Sequence, residues 1–366
     1  MRSEPPTRMR RAVLDMADRR PSWAMPAWVP RELAAALPDG WMLTVIEEET
    51  SGAGDGASRV HPKVVEAVRD AEIYFCYGIP GALLEAGPGL EWVHSGAAGV
   101  AKSLTPEMLA SSVVFTNSAK VHGAPIAETV IAMILHFGRG LDFAVEGKRR
   151  GEWWQDPFYA PDTPMRELAG STVGIVGFGG IGREVARRVV SLGARVIALR
   201  RRASSPAAEV LEPVQGGGSL ASFVEVVHGD DGLEALLTRS DVVVVSTPET
   251  PDTRGLIGAA QIARMKRGAI LVNVARGRIV DEAALAAALA ERRLRGAALD
   301  VFGEEPLPVD DPFWKLDNVL ITPHVSGVTS GFWRRETDLI LRNLRRHLTG
   351  APVSAWENVV DKHAGY

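Results

Sequence analysis

Short apolar runs of four to six residues recur along the chain and alternate with longer segments in which apolar residues have helical spacing. Apolar runs this short, such as residues 242–245, are typical of strands covered on both faces. The predicted strands of the first half are residues 11–16, 41–46, 73–76, 90–94 and 113–116. Those of the second half are residues 172–176, 195–199, 241–246, 269–274, 296–301 and 319–322. The alternation predicts α/β layers with a parallel sheet in each half.

Four further segments complete the predicted order of elements. Residues 125–149 have a helical apolar pattern and predict one long helix that connects the two halves. Residues 151–157 predict a loop, and residues 332–348 a closing helix. Residues 202–232 contain three consecutive glycines and no clear period, so we expect a surface insertion whose role the sequence does not reveal.

Composition narrows the class of protein. The length of 366 residues fits two domains, and the net charge of −4 argues against nucleic acid as a partner. The single cysteine, Cys76, excludes an intrachain disulfide and a cysteine-ligated metal, so we expect no metal site and a reducing, cytoplasmic location. No apolar run reaches the roughly 18 residues that span a bilayer, and the first residues lack the apolar part of a signal peptide. We therefore expect no membrane partner.

A glycine motif lies between a predicted strand and a predicted helix over residues 183–192. Gly177, Gly179 and Gly182 form the pattern G-x-G-x-x-G. In this context the first glycine permits a tight turn, the second lets the backbone approach a pyrophosphate, and the third allows close helix–strand packing. The helix N-terminus offers N–H groups to the phosphates. The pattern predicts a dinucleotide site, and the alternative is a tight turn without a ligand.

The next predicted strand ends in three arginines, Arg200, Arg201 and Arg202. An enzyme that prefers NAD normally has Asp or Glu here, which bonds the ribose 2′-hydroxyl. A carboxylate would repel the 2′-phosphate of NADP(H), whereas a guanidinium can bind it through two hydrogen bonds. We therefore expect NADP(H) to be preferred. The alternative is a solvated basic loop on a protein that uses NAD(H).

Charged residues follow three more predicted strands of the second half. Arg276 lies in residues 271–278, Asp300 and Glu305 in residues 298–307, and His324 in residues 321–327. The carboxyl ends of parallel strands form the edge at which α/β folds bind ligands. A cation and a proton donor that converge there suit the reduction of a carbonyl group, because negative charge develops on its oxygen. Singly, each residue could instead be a surface ion pair, an acidic turn or a structural loop histidine.

The three segments together resemble the D-isomer-specific 2-hydroxyacid dehydrogenases. The shared motifs are Asn-x-Ala-Arg-Gly at 273–277, Asp-Val-Phe-x-x-Glu-Pro at 300–306 and Pro-His-x-x-Gly at 323–327. The resemblance covers nearly the whole chain and implies two Rossmann-like, doubly wound parallel-sheet α/β domains with a cleft between them. Residues 1–118 and 328–366 would form a flavodoxin-like substrate domain, and residues 119–327 the dinucleotide-binding domain. A homodimer formed through the coenzyme domain and the helix near 125–149 is also implied.

The resemblance implies a role for each catalytic residue. Arg276 would hold the substrate carboxylate and carbonyl oxygen, and His324 would be the acid/base. Glu305 would bond the imidazole and stabilise its protonated form. Asp300 resembles the supporting acid near the same histidine.

Cofactor and substrate contacts are implied in the same way. The cofactor contacts would be Gly177, Phe178, Gly179, Gly180, Ile181, Gly182, Arg200, Arg201, Thr247, Pro248, Val274 and Ala275. Backbone N–H groups at Ala98 and Gly99 would hold the substrate carboxylate, although Ala101 and Lys102 stand where the family often has Asp. Tyr77 and Gly78 lie in the loop that resembles the one setting side-chain specificity.

The expected reaction is hydride transfer between NADP(H) and a small 2-oxo or 2-hydroxy acid, such as glyoxylate or hydroxypyruvate. Residues 77–80 contain no Lys or Arg for a phosphate, and little chain follows the dehydrogenase unit. Both features argue against a phosphoglycerate dehydrogenase. The sequence identifies neither the acid nor the direction of the reaction.

Two other functions stay open. One is a non-catalytic dinucleotide-sensing protein, since the family includes transcriptional corepressors, and the other is a phosphite-type dehydrogenase. The complete set of Arg276, Glu305 and His324 favours an enzyme. A formate dehydrogenase is disfavoured because those enzymes have Gln where this chain has Glu305.

Overall fold

The computed structural model describes residues 9–49, 60–200 and 222–365. These residues divide into two compact units. The first unit runs to His122 and resumes at Val328, and the second comprises Gly123–Gly327.

The first unit contains a five-stranded parallel sheet in the order β2-β1-β3-β4-β5. Its strands are β1 (Arg10–Asp15), β2 (Trp41–Val45), β3 (Ile73–Cys76), β4 (Trp92–Ser95) and β5 (Val114–Asn117). The helices between them are α1 (Trp28–Ala36), α2 (Pro62–Val68), α3 (Gly81–Ala86) and α4 (Pro106–Ala110). Both α2 and α4 begin at a proline, which suits the first turn because its N–H is not needed there.

The second unit begins with three helices, α5 (Gly123–Gly138), α6 (Leu141–Arg150) and α7 (Asp156–Tyr159). The strands that follow are β6 (Thr172–Val176), β7 (Arg195–Arg200), β8 (Val224–His228), β9 (Val242–Val245), β10 (Ile270–Asn273), β11 (Gly296–Leu299) and β12 (Val319–Ile321). Between the strands lie α8 (Gly180–Ser191), α9 (Gly229–Arg239), α10 (Ala259–Arg264) and α11 (Glu282–Ala290). The strands form one parallel sheet in the order β12-β11-β10-β9-β6-β7-β8.

Helices cover both faces of this second sheet. In β9, Val242 and Val244 pack into the apolar cluster on one face, and Val243 and Val245 into the cluster on the other. This division follows from the two-residue period of a strand, whose successive side chains point to opposite faces. The sequence prediction of two parallel-sheet α/β folds is confirmed.

The closing helix, α12 (Phe332–Leu348), belongs to the first unit. Its buried side chains include Phe332, Leu339, Ile340 and Leu344, which recur at helical spacing and pack against the first sheet. Among the helices that the described ranges contain, none is long and apolar enough to cross a membrane.

The predicted long helix over residues 125–149 is wrong in one respect. Two helices occupy this stretch, because α5 ends at Gly138 and α6 begins at Leu141. Gly140 between them has φ +67°, in the left-handed region that interrupts an α-helix. The apolar period resumes after the break, so the periodicity does not reveal it. Similarly, α7 begins at Asp156, inside the predicted loop 151–157.

The predicted surface insertion over residues 202–232 also needs correction. Residues 202–221 lie outside the described residues, but Val224–His228 form β8 and α9 begins at Gly229. Strand β8 pairs with β7 at the end of the strand order. An edge strand with polar residues lacks the continuous apolar run by which the central strands were recognised.

Candidate active site

The strands of the second unit end in register, so the residues that follow them meet at one edge of the sheet. Val176 of β6 is paired with Leu199 and Val245, and Asn273 of β10 with Val245 and Leu299. The next residue after each of these strand positions therefore lies at the carboxyl edge. These residues are Gly177, Arg200, Ser246, Val274 and Asp300.

The glycine turn is packed against the end of β9. Gly177 has φ +101°, and a Cβ atom there would lie 2.6 Å from the backbone nitrogen of Thr247. A Cβ atom at Gly182 would collide with the carbonyl oxygen of Gly177, so α8 can pack this closely on β6 only with glycine. A Cβ atom at Gly179 would meet no atom within 4 Å. The turn therefore has an open side at Gly179, next to the first N–H groups of α8, which fits a pyrophosphate.

The other proposed cofactor residues have different surroundings. The side chains of Phe178, Val274 and Ala275 are buried in the apolar clusters, so these residues offer mainly backbone atoms at the surface. Ile181 packs partly against the same core. Thr247 is half-buried beside Gly177, and Pro248 is exposed and accepts a hydrogen bond from Thr253 through its carbonyl.

Arg200 is the last residue of β7 and is half-buried. It is paired in register with His228, the last residue of β8. The imidazole Nδ1 of His228 lies 3.0 Å from the carbonyl oxygen of Arg200. Because a carbonyl oxygen only accepts, Nδ1 carries the hydrogen, which leaves Nε2 of the neutral ring as an acceptor. Arg201 lies outside the described residues.

Arg276 follows β10 in a bonded turn. The Asn273 amide donates to the carbonyl oxygen of Arg276 at 3.0 Å, and its side-chain oxygen accepts from the Ala275 N–H at 3.1 Å. A Cβ atom at Gly277 would collide with the backbone of Phe302 and Gly303. The glycine therefore lets the Arg276 turn lie directly against the segment that leads to Glu305.

His324 and Glu305 are in direct contact. The imidazole Nδ1 lies 2.8 Å from Glu305 Oε2, and the other carboxylate oxygen accepts from the Phe302 N–H at 2.9 Å. Both side chains are partly exposed, with 43% and 36% of their surface accessible. Since a carboxylate accepts the bond, Nδ1 carries the hydrogen, and Nε2 can bind or release a proton.

Asp300 is buried, and its carboxylate bonds the segment around the histidine and not the imidazole. It accepts hydrogen bonds from Thr322 Oγ1 at 2.6 Å, from the Val325 N–H at 2.9 Å, and from both the N–H and the hydroxyl of Ser326. His324 has φ +54°, which is uncommon for a residue with a side chain. Asp300 therefore holds the backbone on either side of this unfavourable conformation.

The proposed substrate residues of the first unit lie at the carboxyl edge of its own sheet. The Asn117 amide donates to the carbonyl oxygen of Ala98 at 2.8 Å, and Ser95 Oγ donates to the carbonyl oxygen of Tyr77 at 2.8 Å. Gly78 is buried beside Tyr77, while Ala98 is exposed and Gly99 half-exposed. The loop 96–99 is thus tied to the ends of β4 and β5.

Comparison with known proteins decides the family. Residues 131–326 match the family model described as D-isomer specific 2-hydroxyacid dehydrogenase, NAD binding domain. The chain belongs to the D-isomer specific 2-hydroxyacid dehydrogenase family. It is therefore a dehydrogenase of the NAD(P)-dependent type that the motifs predicted.

Relatives of this dehydrogenase span two substrate types. The glycerate dehydrogenase of Methylorubrum extorquens is 31% identical over 82% of this chain and 88% of its own length. The D-3-phosphoglycerate dehydrogenase of Methanocaldococcus jannaschii is also 31% identical over 82% of this chain, but the match spans only 53% of that longer protein.

Two solved structures align with nearly the full length of this dehydrogenase. A family member from Xanthobacter autotrophicus, in complex with NADPH and MES, aligns over 98% of this chain and 100% of its own with a TM-score of 0.74 and 29% identity. An NADPH-dependent glyoxylate/hydroxypyruvate reductase from Sinorhizobium meliloti, in complex with NADP and sulfate, aligns over 97% and 99% with a TM-score of 0.72 and 27% identity.

Three residues near the carboxyl edge of the second sheet were not predicted as site residues from the sequence. Ser246 donates to the carbonyl oxygen of Gly177 at 2.8 Å and holds the glycine turn. Glu282 accepts from the Gly303 N–H at 2.7 Å, and His228 lies beside Arg200. Ser246 could have been found, because it is a polar residue at the end of the predicted strand 241–246. His228 could not, because it ends β8, a strand that the sequence pattern did not predict.

The carboxyl of Glu282 has a pKa that departs from its ordinary value. Burial raises the pKa of its carboxyl above the ordinary value, and the negative charges of Asp311 and Glu305 raise it further. The hydrogen bond from Gly303 lowers it in part. Glu282 thus adds an unfavourable charge behind the Glu305 segment. Across the described ranges, no group of three or more His, Cys, Asp or Glu side chains could hold a metal ion.

Proposed function

We propose that this dehydrogenase reduces small, non-phosphorylated 2-oxo acids of the glyoxylate and hydroxypyruvate class with NADP(H). The observation that carries the proposal is the 2.8 Å contact between Glu305 and His324 at the carboxyl edge of the second sheet. This contact orients an imidazole whose second nitrogen is available for proton transfer. The solved structure that aligns with this chain at a TM-score of 0.72 is described as a glyoxylate/hydroxypyruvate reductase, which supports the substrate class.

The two units would have different tasks. Residues 119–327 would bind the dinucleotide, and the matching family model supports this. Residues 1–118 and 328–366 would bind the substrate. The turn Gly177–Gly182, Thr247, Pro248, Val274 and Ala275 would hold the cofactor, which supplies the hydride when it is bound.

The side chains of the second unit would carry out the proton chemistry. His324, protonated at Nε2, would donate a proton to the substrate carbonyl oxygen, and its Nδ1–H would stay bonded to Glu305. Glu305 would stabilise the imidazolium because its negative charge lies beside the positive ring. Arg276 would stabilise the charge that develops on the carbonyl oxygen and would bind the carboxylate. Backbone N–H groups at Ala98 and Gly99 would bind the same carboxylate.

Arg200 supports NADP(H) as the preferred cofactor, with His228 next to it as a second nitrogen donor or acceptor. The two structural neighbours above contain NADPH or NADP. The lack of Lys and Arg in residues 77–80 supports a substrate without a phosphate.

A homodimer is proposed from the surface of residues 141–159. Large apolar side chains are exposed there, with Val145 at 62%, Trp153 at 89% and Tyr159 at 78%. Such a concentration on a protein surface is typical of an interface. Sedimentation of the wild type and of Trp153→Glu tests it, because the charge should shift a dimer towards monomer.

The buried free thiol of Cys76 supports a cytoplasmic location.

The deciding experiment is an assay of glyoxylate, hydroxypyruvate, pyruvate and 3-phosphohydroxypyruvate with NADPH and with NADH. We expect reduction of the non-phosphorylated acids, faster with NADPH, and loss of nearly all turnover in His324→Ala without loss of NADPH binding. Binding of NADPH without turnover of any acid would favour a dinucleotide sensor. Oxidation of phosphite would favour the phosphite-type enzyme.

A further inference from the structure

A buried glutamate, Glu336, joins the closing helix α12 to the sheet of the first unit. Its side chain is fully buried, and so are those of its two partners, His94 and Ser118. Nε2 of His94 lies 2.8 Å from one carboxylate oxygen, and the Ser118 hydroxyl donates to the other at 2.7 Å. A carboxyl group this deep in the protein is costly to leave without hydrogen bonds. The two contacts therefore fix the helix to the sheet at a specific point.

The hydrogen bonds around His94 have one consistent direction. Thr116 Oγ1 accepts from the indole N–H of Trp92 at 2.8 Å, and its own hydrogen is then available for Nδ1 of His94, also 2.8 Å away. Because Nδ1 accepts in this pattern, Nε2 carries the hydrogen that is donated to Glu336. His94 and Trp92 belong to β4, and Thr116 belongs to β5. This chain of bonds thus ties both strands to α12.

Ser118, the other partner of Glu336, supports the loop 96–99, which is proposed to bind the substrate carboxylate. Ser118 follows β5 directly, and its backbone N–H donates to the carbonyl oxygen of Ala97 at 3.4 Å. Its hydroxyl oxygen also lies 3.0 Å from the carbonyl oxygen of Ser95, the residue that precedes the loop. A displacement of Ser118 would therefore displace the backbone N–H groups of the loop.

We propose that Glu336 is a positioning residue for the loop 96–99 and acts on it through Ser118 and His94. This inference rests on the proposed function, in which backbone N–H groups of the loop bind the substrate carboxylate. These groups would bind the carboxylate equally in the ground state and in the transition state. A displaced loop therefore weakens binding of the acid without slowing the chemical step, and raises KM while kcat stays the same.

The variant Glu336→Ala tests this role, because it removes both bonds. With glyoxylate and hydroxypyruvate we expect KM to rise about tenfold, while kcat and the dissociation constant for NADPH change little. Glu336→Gln should restore KM to near the wild-type value. Its amide oxygen can accept from His94, its NH₂ group can donate to Ser118, and the Ser118 hydroxyl can donate to Ser95. A Glu336→Gln variant as impaired as Glu336→Ala would contradict an action through these hydrogen bonds.

Leu344→Ala is the control for a loss of stability without a loss of positioning. Leu344 is buried on the same helix as Glu336, about two turns further along, and its side chain is apolar. The variant should lower the melting temperature and leave KM for both acids unchanged. If KM rose equally in Leu344→Ala and Glu336→Ala, or stayed unchanged in Glu336→Ala, Glu336 would only stabilise the fold and the inference would be wrong.

Hydrogen exchange supplies a readout that does not depend on turnover. The amides of residues 96–99 should exchange faster in Glu336→Ala than in the wild type, and no faster in Leu344→Ala. Unchanged exchange in Glu336→Ala would overturn the inference and leave the proposed function standing. Faster exchange in a protein whose wild type reduces none of the acids would overturn the proposed function, and the role in substrate binding with it. If Glu336→Ala does not fold, Ser118→Ala removes one of the two bonds and should give smaller changes in the same directions.

Discussion

Asp300 bonds the backbone of His324 itself, because its carbonyl oxygen accepts from the His324 N–H at 2.8 Å. Its carboxylate bonds the two residues that follow, Val325 and Ser326. Asp300, the first residue after β11, and His324 are thus joined through the histidine backbone, and none of these bonds involves the imidazole ring. This relationship makes Asp300 a positioning residue for His324.

The variant Asp300→Asn should impair catalysis through the position of His324. The amide retains one acceptor oxygen and turns an NH₂ group towards the N–H and hydroxyl of Ser326. The bonds from Ser326 are then lost, and the backbone of His324 at φ +54° is held less firmly. We expect kcat to fall by about 10²-fold and KM to change little, because misplacement of a catalytic group by about 1 Å costs that much.

The matched control for Asp300→Asn is Thr322→Val, which removes a single bond to the same carboxylate. Its effect on kcat should be much smaller. A pH–rate profile separates positioning from proton chemistry, since a displaced imidazole lowers the rate at every pH. A profile that shifts along the pH axis at unchanged maximal rate would contradict the positioning role.

Glu305→Gln should lower turnover through the orientation of His324. Glu305 accepts hydrogen bonds with both oxygens, from the Phe302 N–H and from Nδ1 of His324. The amide of Gln has only one acceptor oxygen, so one of these two bonds is lost and the imidazole is held less firmly. We expect kcat to fall while KM changes little. Glu304→Gln is the matched control, because it removes a neighbouring exposed carboxylate and should leave kcat unchanged.

Arg200→Asp should reverse or reduce the preference for NADPH. A charge-assisted hydrogen bond to the 2′-phosphate contributes about 1.5–3 kcal/mol, and the new carboxylate adds repulsion while offering an acceptor to the 2′-hydroxyl of NADH. We expect the ratio of kcat/KM for NADPH over NADH to fall at least about tenfold. Dissociation constants for the two cofactors, measured by fluorescence titration, should change in the same direction.

Arg195→Asp is the control for this charge change. Arg195 is exposed at the opposite end of the same strand, β7, so the net charge changes equally while the proposed 2′-phosphate contact stays intact. The cofactor ratio should not respond to it. A wild-type preference for NADH would show that Arg200 does not bind a 2′-phosphate.

The sequence predicted the central strands of both sheets and missed an edge strand for a physical reason. Buried parallel strands such as β9 are continuous apolar runs, whereas β8 pairs on one side only and contains Glu225 among its valines. The break between α5 and α6 was missed because both helices have apolar positions at helical spacing, and Gly140 acts through its own backbone angle.

Some contacts of the site residues were predicted from the sequence, and others were not. The motif implied that Glu305 bonds His324, and the two are 2.8 Å apart in the structure. The collision that Gly277 avoids with Phe302 could not be read from the sequence, because the register of β10 and β11 brings these distant residues together. The bonds of Asp300 to the backbone of Val325 and Ser326 depend on the same kind of register between β11 and β12.

Glu282→Gln should stabilise the protein at neutral and alkaline pH. The pKa of Glu282 is raised in the folded state, so the folded protein binds the Glu282 proton more tightly than the unfolded chain does. The unfavourable contribution of the charged carboxyl is therefore absent below the ordinary value of 4.5, grows as pH rises through the folded pKa, and stays constant above it. Gln keeps an acceptor oxygen for the Gly303 N–H but has no charge to desolvate near Asp311 and Glu305. We expect the melting temperature of the variant to exceed that of the wild type at pH 8 and to match it at pH 4.

Glu291→Gln, at the other end of α11, is exposed and should show no such difference between the two pH values. Equal melting temperatures of Glu282→Gln and wild type at pH 8 would show that the Glu282 charge is stabilised by its surroundings, contrary to the burial argument.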